Sequence, residues 1–300
     1  MPLGGEGADG FTAGNVIYTD TPARVVVGGN GANSAYVMAG LGVPTTLCSA
    51  VGRDVLGDTL LGWLRARGVL LDGVARLGTH ATSTSAILMT DAATQVVFYH
   101  PGATAETRLD DVPATVLGEA EVLLASSYPL LPRMRAGGFA RALAEVHRAG
   151  GITALDIGPA IGTPVTLDEI VPLLPTVDYL IANRHEVTTL TGTGDWEAAA
   201  TQLLAAGARQ LVIKRGGDGA SLRSADTTVD VPGFPVPAVV SVGAGDTFNV
   251  GFLYGAAQRW SPERALRFGN ATAALMVTSE RGILGAPTMD QVGAFLAEHG

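Results

Sequence analysis

From residue 30 onward, short aliphatic runs alternate with longer stretches of helical periodicity, and this alternation constrains the fold more than any other feature of the chain. Asn30 to Gly40 reads as an alanine-rich helix, Thr45 to Val51 as a strand, and Val55 to Arg67 as a second helix in which Leu56, Leu60 and Leu64 are spaced for one apolar face. Glu121 to Ala125 follows as strand, Arg133 to Arg148 as helix and Thr153 to Asp156 as strand. Asp178 to Ala182 is then a strand, Asp195 to Ala206 a helix and Gln210 to Lys214 a strand. Parallel strands need a crossover to bring the chain back to the same edge, and a helix is the usual crossover. The expected fold is α/β: a doubly wound, mostly parallel sheet covered by helices on both faces.

Two regions break the rhythm. Residues 11–29 and about 74–101 carry short β-type segments: Arg24 to Val27, Thr84 to Met89 and Gln95 to Tyr99, the last two joined through Thr90 to Thr94 as a hairpin. Strands joined without helices form an antiparallel sheet. The expectation is a small β lid over the carboxyl ends of the main strands, within one domain spanning residues 1–300. In the hairpin, Phe98 is expected in the strand core and His100 on the surface.

Composition narrows the chemistry. A net charge of −9 argues against nucleic-acid and anionic-membrane partners, both of which need a clustered positive field. Lys214 is the only lysine, and no Gly-Lys-Ser/Thr phosphate loop or protein-kinase signature is present. The single cysteine, Cys48, lies in an apolar run and reads as a buried structural thiol in a reducing compartment. With neither an apolar span of membrane length nor a leader-like start at Met1 to Glu6, the expected location is cytoplasmic.

Four motifs carry candidate chemistry. Gly243-Ala244-Gly245-Asp246 opens a small-residue helix, so unpaired N–H groups at its positive end suit a phosphoryl oxygen. Asp246 there is either a charge partner of the helix or a base beside a bound phosphate. Gly28-Gly29-Asn30-Gly31-Ala32-Asn33 is either a helix cap or a close backbone approach with two amides that can pair with sugar-type hydroxyls. Asn183-Arg184-His185-Glu186 is either a capping box or an oxygen-rich pair near hydrated Mg²⁺. Lys214 to Gly219 is either a hairpin turn or a basic, glycine-rich phosphate contact.

In this order and separation the four motifs resemble the PfkB family of carbohydrate kinases, which has the ribokinase-like fold, over nearly the whole chain. Val51 to Asp58 is similar to the stretch that follows the family's first signature, and Asn270 to Ala274 to the helix lining its adenine pocket. The resemblance implies ATP- and Mg²⁺-dependent phosphorylation of a primary hydroxyl on a sugar or sugar-like alcohol. It implies that Asp246 is the base and that Gly243, Ala244 and Gly245 form the anion hole. Gly29, Asn30 and Asn33 are implied as substrate contacts, Asn183, Lys214, Gly216, Gly219 and Asn270 as nucleotide contacts, and Glu186 as the metal residue.

Three departures from the family pattern stand out. The aspartate-bearing first strand is missing from its usual place, which points to a shortened start or to Asp9 or Asp20 as substitute. Val240-Ser241 replaces the usual Asp-Thr, so a monovalent cation is not carried over. Arg53 replaces a common acidic residue. A nucleoside kinase of the same fold, with Phe98, Tyr99 and His100 near the base, and a non-catalytic sugar- or nucleotide-binding relative are the alternatives. Lid edges make a homodimer an expectation.

Overall fold

In the computed structural model of the protein, the described residues are 2–3, 22–90, 95–158 and 163–299. The chain forms β1 (Pro2–Leu3), α1 (Asn30–Gly40), β2 (Ser49–Gly52), α2 (Val55–Ala66), β3 (Val74–Leu77), β4 (Thr84–Thr90) and β5 (Gln95–His100). It continues through α3 (Ala114–Gly118), β6 (Val122–Ala125), α4 (Phe139–Arg148), β7 (Ile152–Asp156), α5 (Leu167–Ile170), β8 (Tyr179–Asn183), α6 (Arg184–Thr191) and α7 (Trp196–Ala205). Last come β9 (Gln210–Lys214), β10 (Ala220–Ser224), β11 (Thr228–Val231), α8 (Ala244–Ala257), α9 (Pro262–Val277) and α10 (Met289–Glu298).

The main sheet has the order β11-β10-β9-β8-β7-β6, parallel from β6 to β9 and antiparallel at its β10 and β11 end. Its central strands alternate between two apolar layers. Leu155, Leu180 and Leu211 pack with Leu143 of α4, Val187 of α6 and Leu203 of α7. Their neighbours Ala154, Ile181 and Val212 face Phe248 and Phe252 of α8 and Leu266 of α9. Both faces of these strands are therefore dry, which explains their continuous aliphatic sequence. Each fully buried Leu or Ile contributes about 1.5–3 kcal/mol.

The small antiparallel sheet is present as the hairpin β4–β5, with β1 added in parallel against β4. The hairpin tip, residues 91–94, and the segment 4–21, which includes Asp9 and Asp20, lie outside the described residues. Several expectations need correction. Arg24 to Val27 is not a strand; it runs into α1 as irregular chain with Val25 and Val26 exposed. The strand expected from Thr45 shortens to β2, which pairs with β3 across α2 rather than with the main sheet. Phe98 is about half exposed rather than part of a strand core, as are its neighbours Val96 and Val97 on β5, so among the described residues this strand is not buried as the main sheet is.

Helix α2 buries Gly57, Leu61 and Leu64 and leaves Leu56 about half exposed. Gly57 sets that face: a β-carbon there would lie 2.5 Å from the Gly52 carbonyl, so the helix leans on β2 at this point. The single helix expected from Arg133 to Arg148 is broken by a wide turn at Met134–Gly138, where Gly137 has φ 119°. Among the described residues, no helix is long and apolar enough to cross a membrane.

Candidate active site

Because β7, β8 and β9 run parallel, their last residues emerge at one edge of the sheet, and all three are polar: Asp156, Asn183 and Lys214. The N-terminus of α8 lies across them. Gly243 caps that helix at φ 87°, a left-handed conformation that disfavours any residue with a β-carbon. The carbonyl of Gly243 accepts from both the N–H and the Oγ1 hydroxyl of Thr247, at 2.9 and 2.8 Å, which closes the first turn. Asp246 sits in that turn.

A cavity of about 330 Å³ joins these elements. Asp156, Asn183 and Lys214 line it from the sheet, Gly243, Gly245 and Asp246 from α8, with Asn30, Glu186 and Gly216 completing the wall. A larger hollow of about 610 Å³ lies against α8, α9 and α10, where Arg264 stacks 3.9 Å over the Trp260 ring. It contains none of the sequence motifs, so the chemistry belongs to the smaller cavity with its three carboxylates and one lysine.

Asp246 is 8% exposed, and its Oδ2 accepts a hydrogen bond from Asn33 Nδ2 at 2.8 Å. Burial pushes its carboxyl up to about 7; Asp156 and Glu186 add to the rise, while the Asn33 bond and Lys214 oppose it. Burial likewise raises Glu186 to about 7, reinforced by Asp156 and opposed by Lys214 and the Asn183 N–H. Burial works against the charge on Lys214, yet Asp156, Glu186 and Asp246 together hold it above its usual value. The site is thus short of positive charge.

Asn183 and Glu186 form a reciprocal capping box on α6, at 2.8 and 2.7 Å, and both also line the cavity. The turn from Lys214 to Gly219 likewise is a hairpin connection, between β9 and β10, and contributes Lys214 and Gly216 to the wall. The plain reading of both motifs holds, and the same residues line the cavity.

Other motif residues stand apart from the cavity wall. The Ala244 N–H donates to the Ser241 carbonyl at 3.1 Å, so this amide is already engaged in the turn. Gly29 caps α1 at φ 88°, and Asn33 stands behind Asp246. Asn270 donates to the carbonyls of Val231 and Pro232 at 3.4 and 3.1 Å, holding the chain as it leaves β11. Gly219 packs against that same exit, its missing β-carbon leaving room for the Val231 carbonyl. Cys48 is partly buried, and burial raises its thiol to about 11, as for an unreactive structural cysteine.

Sequence reasoning missed Asp156 and Asn249. Asp156 is 1% exposed, bonded to Lys214, and accepts from Asn249 Nδ2 at 2.5 Å. Its signal was a lone acid closing an aliphatic strand, Ile152 to Asp156, at the carboxyl end where α/β sheets bind ligands.

Comparison with known proteins places this geometry. The chain is 31% identical over 273 residues to the ATP-dependent ribose-1-phosphate kinase of Halopiger xanaduensis, covering 90% of this chain and 86% of that protein. It is 29% identical over 278 residues to the ribokinase of Bacillus subtilis, covering 92% and 90%. The structure of Arabidopsis thaliana ribokinase complexed with ribose and ATP matches with a TM-score of 0.82 at 25% identity, over 95% of this chain and 92% of that one. Residues 8–289 match the model of the pfkB family of carbohydrate kinases. The resemblance read from the four motifs therefore holds for family and for fold, and this chain belongs to the pfkB family of carbohydrate kinases.

Proposed function

We propose that this kinase transfers the terminal phosphoryl group of ATP to a primary hydroxyl of a sugar or sugar-like alcohol. The observation that carries the reading is Asp246: a buried carboxylate in the first turn of α8, hydrogen-bonded by Asn33 and sharing a cavity with Gly243, Gly245 and Lys214. The substrate oxygen bonds to phosphorus while its proton passes to Asp246, and the bond from phosphorus to the bridging oxygen of ADP breaks. The N–H groups of Gly243 and Gly245, at the positive end of α8, take up charge on the moving group. Ala244 shapes the turn, since its N–H is bonded to Ser241.

Gly29, Asn30 and Asn33 form the sugar side of this reading, and Asn33 has a buried carbonyl oxygen with no partner to offer a hydroxyl. Asn183, Lys214 and Gly216 form the nucleotide side, while Gly219 and Asn270 act by fixing the segment beyond β11. That the Arabidopsis relative is complexed with both ribose and ATP supports a site that takes a sugar and a nucleotide together.

Mg²⁺ fits the donor set. Glu186 is a cavity carboxylate in surroundings short of positive charge, and one or two carboxylates suffice for an ion that keeps its waters and binds phosphates. Among the described residues, no group of three or more acidic, histidine or cysteine side chains forms a ready cage, which favours a metal arriving with the nucleotide. The ion would supply charge neutralisation for the phosphates.

In this reading the β4–β5 hairpin acts as a lid that excludes water from the transfer. It also pairs two copies, since Val96, Val97 and Phe98 are exposed on it. The test of the function is ADP release measured against a panel of sugars, polyols and nucleosides, for the parent and for Asp246→Asn. One sugar should stand out, and the variant should turn it over about 100- to 10,000-fold more slowly while still binding it. Equal turnover by the variant would remove Asp246 from the chemistry, and a nucleoside preferred over every sugar would replace the substrate class.

A further inference from the structure

A single buried carboxylate touches two elements of the proposed machinery. Asp156 accepts from Lys214 Nζ at 3.3 and 3.4 Å, from Asn249 Nδ2 at 2.5 Å and from the Gly158 N–H at 3.3 Å. Lys214 closes β9, and Asn249 lies one turn beyond Asp246 on α8. The lysine is itself packed under the turn that opens α8, for a β-carbon on Gly245 would stand 3.5 Å from Nζ. Three carboxylates act on this ammonium, and Asp156 is the one hydrogen-bonded to it. Both partners are buried, with side chains 12% and 2% exposed.

A buried ammonium goes to whichever anion is best placed to hold it. Without the charge of Asp156, Lys214 has Asp246 and Glu186 as remaining partners. A lysine paired with Asp246 would occupy the carboxylate that takes the hydroxyl proton and would turn away from the phosphate. Loss of the Asn249 bond would also free the face of α8 on which Asp246 stands.

We infer that Asp156 is a positioning residue for phosphoryl transfer: it holds the Lys214 ammonium beneath Gly245 and off Asp246, and through Asn249 it fixes the turn of α8 that carries the base. The inference rests on the kinase reading above, and goes beyond it in assigning the origin of the site's alignment to a side chain with no part in bond making.

The test uses the full chain with Asp156→Asn, Lys214→Met, the double variant and Asn249→Ala. Three quantities are measured: melting temperature, affinity for ADP in the presence of a metal chelator, and kcat and KM for the best sugar. Asp156→Asn should melt lower than the parent, because a buried ammonium has lost its partner, and the double variant should regain much of that loss. Asp156→Asn should lower kcat by about 10- to 100-fold with the sugar KM within about twofold. The double variant should recover no turnover. Metal-free ADP should bind about tenfold more weakly to Asp156→Asn and Lys214→Met alike. Asn249→Ala, which keeps the ion pair, should lower kcat and leave ADP affinity unchanged.

Three results would overturn the inference. Metal-free ADP bound as tightly by Asp156→Asn as by the parent would show that Asp156 does not place Lys214. Recovery of kcat along with melting temperature in the double variant would make the pair purely structural. Restoration of Asp156→Asn activity by raised Mg²⁺ would make Asp156 a metal residue. If the parent itself turns over no substrate in the panel, the kinase reading fails, while the melting and ADP measurements still decide the link between Asp156 and Lys214.

Discussion

Asp246 changes charge in the neutral range, because burial has lifted its carboxyl from 3.8 to about 7. Between those values the folded protein keeps a proton that the unfolded chain has released. Stability from this group therefore falls as pH rises through that window, by an amount on the order of a few kcal/mol. The ligand-free protein should melt at progressively lower temperature from about pH 5 to about pH 8, and Asp246→Asn should flatten the slope. An unchanged slope in the variant would mean that Asp246 titrates elsewhere. Activity should run the opposite way, with kcat/KM rising toward a plateau above about pH 7 as the base loses its proton. At this scale much was legible: eight of the nine residues lining the cavity stood in sequence motifs. Asp156 was not, because a strand-closing acid gains meaning only when two neighbouring strands end beside it. The Ala244 amide is engaged by a turn to Ser241 that local sequence does not announce.

On the proposed nucleotide side, the β9–β10 hairpin packs against the return from β11. Gly219 has φ 96°, and a β-carbon there would stand 2.1 Å from the Val231 carbonyl, which is backbone and cannot rotate away. Gly219→Ala should cost about 2–3 kcal/mol, read as a shift of the urea midpoint, and should raise the KM for ATP more than that for the sugar. A midpoint within error of the parent would show that the β11 exit moves freely. The four parallel strands β6 to β9 were legible to within a residue or two, because burial by helices demands an aliphatic run, whereas β10 and β11 were not read as strands. Strand β2 carries a similar run, yet among the described residues it pairs with β3 and not with the main sheet. The close packing of α2 on β2 at Gly57 likewise leaves no periodic trace in the sequence.

At the scale of the molecule, the small sheet carries three consecutive exposed apolar residues: Val96, Val97 and Phe98 stand out to solvent on β5. If two copies pair through it, sedimentation should give a dimer at micromolar concentration, and Phe98→Asp should shift it to monomer without lowering the melting temperature of the main fold. A parent that sediments as monomer would end the pairing proposal. The net charge of −9 gives no broad attraction for an anionic nucleotide, so the proposed binding at the parallel strand ends and α8 acts at short range. That same economy of basic residues has a practical outcome. Lys214 is the only lysine, so the chain carries a single ε-amine, and it lies in the wall of the proposed active site. An amine-acylating reagent, used at a pH high enough to deprotonate this paired ammonium and followed by peptide mass analysis, therefore reads, apart from the α-amine, one defined atom beside the proposed phosphate position. The protein carries its own occupancy reporter, with no engineered label and no competing lysine on the surface.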